Sequence, residues 1–226
     1  MEERVLAVYP HPDDETFGKA GTIALFAKAG VPVTLICGTL GQMGRNMGKP
    51  FFATRETLYQ VREKELRDAC AVLGIQDLRL LGLRDKTLEF EDPEKLADMV
   101  HDVIRDVRPT IVMTYYPDHG VHPDHDALSA ATVLAVKRVP KSDRPTLYCS
   151  PVTDKPREEF GAPDVVKDVS EVLDTKLAAY RAHRSQSEAM LARREQQMAA
   201  DPEYRKQAEE YMRAEAFWFY PVSDDE

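Results

Sequence analysis

Two short stretches of this sequence gather residue types that do chemistry together. They are His11-Pro12-Asp13-Asp14-Glu15 and, far downstream, His122-Pro123-Asp124-His125. Zinc accepts imidazole nitrogen and carboxylate oxygen, and a catalytic zinc takes three protein ligands and keeps one position open. His11, Asp14 and His125 offer two imidazoles and one carboxylate. Asp13, beside a ligand, can serve as general base toward a water whose pKa the metal has lowered. His122 can stabilise the oxyanion of a tetrahedral intermediate, and Asp124 can orient His122. Glu15 either favours the dipole of the following helix or orders the loop. Each stretch alone reads equally well as a polar turn with an Asp capping a helix. Only their meeting in space would make a site.

Strand and helix patterns alternate along the chain, and that alternation supplies a meeting place. Apolar runs at Arg4–Tyr9, Val31–Cys37, Leu78–Leu81, Thr110–Tyr115 and Thr146–Ser150 read as strands. Helical stretches lie between them: about 17–29 with Gly30 as its stop, 54–73 stopped by Gly74, 93–107 with Pro93 in the first turn, and about 126–137. This pattern predicts an α/β, Rossmann-like, doubly wound and mostly parallel sheet of about five or more strands. The catalytic core is expected over about 4–150, within a single domain spanning 1–226. Residues 151–168 read as irregular. A helical C-terminal extension is expected over about 170–215, interrupted near Asp201-Pro202. The aromatic run Phe217–Tyr220 is expected to dock on the body. Ligands of such sheets bind at the carboxyl ends of the strands, where strand order reverses. If the fourth strand lies beside the first, the two motifs become neighbours there.

AVYPHPDDE followed by VHPDHDA resembles the PIG-L / LmbE-type zinc N-acetylglucosamine deacetylases. Further pieces match in order: Thr39–Gly41 with the glycine-rich loop after it, Arg62-x-x-Glu65-x-x-x-Ala69, Gly82-x-x-Asp85, and Ala182-His183-Arg184-Ser185-Gln186. The match spans about residues 4–190. It implies His11, Asp14 and His125 as zinc ligands, Asp13 as base, and His122 as electrophilic partner with Asp124 orienting it. It implies an Arg62 that reaches the substrate pocket and an Asp85 near sugar hydroxyls. GRNMG with ATRET, and RDKTLEFED, resemble the second type of bacillithiol-pathway deacetylase, which implies N-acetylglucosaminyl malate as substrate. Late His183 reads as a packing or surface residue. Two departures stand out. Gln42 replaces a common Glu, and no tyrosine occupies the place just before the second motif; Tyr115 or Tyr116 is the available substitute.

An anionic substrate needs a cationic partner. Arg45, Lys49 and Arg55 lie in or beside the glycine-rich loop 38–50, and an arginine can clamp a carboxylate in two-point fashion. The chain as a whole carries a net charge of −9, which argues against a nucleic-acid partner. No apolar run approaches the roughly 18–20 residues that span a bilayer, and no leader-like segment opens the sequence. The three cysteines, Cys37, Cys70 and Cys149, form no C-x-x-C pair. A cytoplasmic enzyme acting on a small amino-sugar substrate is expected, with homo-oligomers possible. Two histidines and a carboxylate also suit iron(II), as in non-haem oxygenases. A binding-only module is the remaining rival, although no G-x-G-x-x-G follows the first strand.

Overall fold

A computed structural model describes residues 2–223. Its elements run β1 (Val5–Tyr9), α1 (Ala20–Lys28), β2 (Val33–Thr39), α2 (Leu58–Leu73), β3 (Asp77–Leu83), α3 (Pro93–Val107), β4 (Ile111–Tyr115), α4 (Pro123–Lys137) and β5 (Thr146–Ser150). Then follow α5 (Pro156–Phe160), β6 (Val165–Asp168), α6 (Leu173–Ala182), α7 (Arg184–Ala200), α8 (Pro202–Met212) and β7 (Ala214–Phe219). The strands form one sheet in the order β3-β2-β1-β4-β5-β7-β6. Strands β1 to β5 are parallel, while β7 runs antiparallel to both β5 and β6. Strand order therefore reverses between β1 and β4, where the two motifs emerge.

β1 is buried along its whole length, as a central parallel strand must be when helices cover both faces. Its side chains alternate between two cores. Val5, Ala7 and Tyr9 pack with α1, α2 and α6; Leu6 and Val8 pack with α3 and α4. Removing one such aliphatic side chain, as in Leu6→Ala, costs about 2–5 kcal/mol. Helix ends follow local chemistry. Gly74 closes α2 at φ 77, Asp92 accepts the Glu94 N–H at the start of α3, and Asp201 caps α8.

Several boundaries differ from the sequence reading. α1 and α2 begin at Ala20 and Leu58, after turns. α4 begins at Pro123, three residues earlier than read, so the second motif is itself a helix start. The segment read as irregular contains α5 and β6. β6 was missed because its burial alternates (ieie) and it is only four residues long, so no apolar run marks it. Phe217, Trp218 and Phe219 of the aromatic run form the second half of β7, which extends the sheet. The helical extension breaks at Asp201-Pro202 as read, and breaks again at His183 with neither Gly nor Pro to signal it. Glu215 of β7 accepts the N–H groups of Gly21 and Thr22 at the start of α1, where a carboxylate suits the helix dipole. Buried Lys176 of α6 balances that charge at 2.8 Å. The C-terminal extension is thereby tied to the helix that follows the first motif. Among the described residues, no helix is long and apolar enough to cross a membrane.

Candidate active site

The crevice between β1 and β4 brings His11, Asp14 and His125 together, with one candidate ligand atom from each lying within 4.8 Å of the others. His11 Nδ1 lies 3.1 Å from His125 Nε2 and 3.3 Å from Asp14 Oδ2, and His125 Nε2 lies 3.4 Å from Asp14 Oδ1. Each donor is held from behind. His125 Nδ1 is 2.8 Å from the Gly120 carbonyl, so it carries the proton and leaves the Nε2 lone pair facing inward. Asp14 accepts the His11 N–H and the Tyr115 hydroxyl at 2.9 and 2.7 Å. The Tyr115 ring also stacks on His125, with centroids 4.2 Å apart. Tyr115 is thus committed to two of the three candidate ligands, and Tyr116 packs against Phe160 and Tyr220.

His11 Nε2 points the other way, 3.1 Å from both Asp124 Oδ2 and Asp85 Oδ1. Both carboxylates thus converge on one ring nitrogen. The Asp124 carboxylate is fully buried on His11, also accepts the Lys86 and Leu88 N–H groups, and lies within 4.8 Å of a His122 ring nitrogen. Asp85, expected near sugar hydroxyls, is 3% exposed and contacts His11 and the Met43 N–H. Gln42 accepts the Asp85 N–H, a bond that needs no charge.

Asp13 sits between the cluster and α2. Its φ of 125° lies where L residues are strained by about 1–3 kcal/mol. Burial pushes its carboxyl up to about 6; the Arg62 guanidinium opposes that rise and Asp14 adds to it. Arg62 bonds Asp13 Oδ2 at 3.0 Å, the Pro12 carbonyl at 2.6 Å and the Gly41 carbonyl at 3.0 Å. It is 5% exposed, and the arginine expected to reach the substrate pocket fastens the first motif and grips Asp13. Gly41 must be glycine here: its φ is +61°, and a Cβ would lie 1.8 Å from Arg62 Nη1. Glu15 lies beneath the loop, bonded to the Asp13 N–H, the Thr16 hydroxyl and His183. His183, read as packing or surface, is buried against Glu15 at 2.6 Å. The Ala182–Gln186 stretch marks the place in sequence, at the break between α6 and α7, but not the partner.

His122 is the N-cap of α4, and its Nδ1 accepts the Asp124 N–H at 3.1 Å. Burial and the neighbouring His11 hold its pKa below the ordinary value. A neutral ring with Nδ1 engaged carries its proton on Nε2, which is free to donate. Arg55 bonds the Gly44 carbonyl at 2.7 Å through one guanidinium nitrogen and stiffens the glycine-rich loop. Arg45 and Lys49 line a cleft of about 550 Å³ between that loop and α7, where Arg184 joins them. The cleft's lining includes none of the His/Asp cluster.

The donor set fits a divalent cation. Asp13, Asp14, Glu15, Asp85 and Asp124 crowd a region where Arg62 and Lys19 supply the fixed positive charge. Two inward imidazole nitrogens and one carboxylate match zinc, and the ligand type suits iron(II) as well.

Comparison with known proteins agrees with this geometry. The PIG-L family model, GlcNAc-PI de-N-acetylase, matches residues 6–136. A probable N-acetyl-alpha-D-glucosaminyl L-malate deacetylase 2 of Bacillus cereus is 56% identical over 84% of this chain and 87% of its own. Its Bacillus subtilis counterpart, named in the same words, is 51% identical over 99% of this chain and 100% of its own. In fold, the chain resembles the N,N'-diacetylchitobiose deacetylase of Pyrococcus horikoshii, with a TM-score of 0.71 and 24% identity, covering 97% of this chain and 84% of that one. The motifs, the switch-point crevice and the family match converge, and the chain belongs to the PIG-L, or GlcNAc-PI de-N-acetylase, family.

Proposed function

We propose that this protein hydrolyses the N-acetyl group of an N-acetylglucosaminyl malate conjugate, releasing acetate and the free glucosamine conjugate. The observation that carries the reading is the convergence of His11 Nδ1, Asp14 and His125 Nε2 with a buried carboxylate, Asp13, on the adjacent residue. Zinc held by those three residues would polarise the acetamide carbonyl and make water acidic enough to attack near neutral pH. Asp13 accepts the proton of the attacking water and returns it to the amine nitrogen as the C–N bond breaks. Arg62 and Glu15 keep its carboxylate in place through that exchange. His122 donates from Nε2 to the acetyl oxygen as negative charge develops there. Asp124 and Asp85 orient His11, and together they raise the basicity of its Nδ1.

The malate end is assigned from the names of the Bacillus relatives and from the cleft. Arg45 and Lys49 offer cations at its wall, and Arg184 adds a third beside Glu188. The test is acetate release by zinc-loaded protein from N-acetylglucosaminyl malate and from N-acetylglucosamine. Fast release from the conjugate and slow release from the plain sugar are expected. Equal rates would remove the malate assignment, and no release from either would remove the deacetylase reading.

A further inference from the structure

We propose that His183 and Glu15 are positioning residues for the base: through the Asp13 N–H they hold Asp13 in its strained backbone conformation. Glu15 Oε2 accepts the Asp13 N–H at 3.0 Å. A glutamate side chain has enough rotatable bonds to leave such a contact. Here its other oxygen is pinned by the Thr16 hydroxyl and by His183 Nε2, each at 2.6 Å. His183 comes from the break between α6 and α7 and is fully buried. That break is anchored in turn. Ser185 donates its N–H and its hydroxyl to the two oxygens of Glu65, each at 2.6 Å.

Glu65 lies three residues after Arg62 on α2, on the same face of the helix. One face of α2 therefore reaches Asp13 by two routes. Arg62 grips the carboxylate directly. Glu65 fixes Ser185, which places His183, which fixes Glu15, which grips the backbone. Arg62 holds the Asp13 carboxylate and the preceding Pro12 carbonyl, while Glu15 holds the Asp13 N–H, so both sides of the strained residue trace back to α2.

The other nitrogen of His183 separates this role from simple packing. Nδ1 is buried and has no partner among the described residues. A residue present only for volume would not carry a polar atom that burial leaves unmet. The compensating interaction is the one at Nε2.

The kinetic test rests on the proposed hydrolase activity; an exchange measurement does not. In zinc-loaded full-length protein, His183→Leu should lower kcat by ~10–100-fold, with KM and zinc stoichiometry unchanged. His183→Gln places an amide donor near the old Nε2 and should recover all but about fivefold of kcat. Wild-type kcat in His183→Leu, or equal loss in both variants, overturns the proposal. If the wild-type enzyme turns over no N-acetylglucosamine conjugate, the hydrolase reading fails and amide exchange across residues 11–17 decides. Faster exchange there in His183→Leu than in His183→Gln, with α3 and α4 unchanged, supports the proposal; identical exchange overturns it. Should His183→Leu fail to fold, Ser185→Ala replaces it and removes only the hydroxyl bond to Glu65. A smaller loss of kcat at constant KM, or faster exchange over 11–17, is then expected, and no change in either overturns the proposal.

Discussion

The two loops that face each other across the β1–β4 crevice are built by opposite means. The second is a helix start. His122 caps α4, Pro123 takes the first position, and Asp124 and His125 fall in the first turn. Proline there costs nothing, because the N–H it lacks would have no helical partner. His125 is oriented by Gly120, five residues away. The first loop combines local bonds, from the Asp13 N–H to Glu15 and from the His11 N–H to Asp14, with remote ones. Asp13 is strained, and the groups that brace it and Glu15 come from α2 and from the far C-terminal extension. The backbone of the second loop is set by its own helix start, whereas the strained Asp13 of the first leans on residues distant in sequence.

That contrast makes the first loop sensitive to remote change. The largest effect belongs to the base itself. Asp13→Asn should lower kcat by ~10²–10⁴-fold while zinc content stays constant; near-wild-type activity would remove Asp13 as base. A remote substitution comes next. Gly41→Ala drives a Cβ into Arg62, and releasing the Asp13 carboxylate should cost ~10²-fold in kcat. Its pH profile should move as well. Activity rises as Asp13 ionises, and a bound dication favours the ionised form, so the wild-type acid limb lies no higher than about 6. Arg62 holds that carboxyl down, so displacing it moves the limb to higher pH. A pH–rate profile of Gly41→Ala that overlays wild type would break the comparison.

Asp124→Asn tests the second loop. The helix start should survive, because His122 and Pro123 remain. Zinc affinity should still fall ~10–100-fold, as the fully buried carboxylate on His11 Nε2 is lost. Chelator competition measures this, and unchanged affinity would return Asp124 to the His122 role expected from sequence. The smallest effect concerns the cleft. Arg45→Ala should raise KM for the malate conjugate about tenfold, on the order of one charge-assisted contact, and leave N-acetylglucosamine unchanged. Equal effects on both substrates would dismiss the clamp.

The same contrast explains what could be read without coordinates. Buried central strands announce themselves as apolar runs, so β1 to β5 and the reversal between β1 and β4 were legible. The residue types of the centre were legible too, since His11, Asp14 and His125 lie in short motifs at strand ends. The partners were less so. Arg62, Asp85 and Asp124 were read as facing substrate or His122, yet each turns inward to the loop or to His11. Composition and spacing say that a charge is present; only packing says which atom it meets. β6 and the break at His183 escaped for a related reason, because both are set by contacts across the fold.

The most direct test of the centre is zinc titration of chelated protein, followed by amine release from N-acetylglucosaminyl malate. Activity should be absent without metal, rise linearly, and break at one equivalent per chain. His125→Ala should show neither the break nor the activity. Turnover persisting in metal-free protein, or a full titration in His125→Ala, would contradict a centre built from both loops.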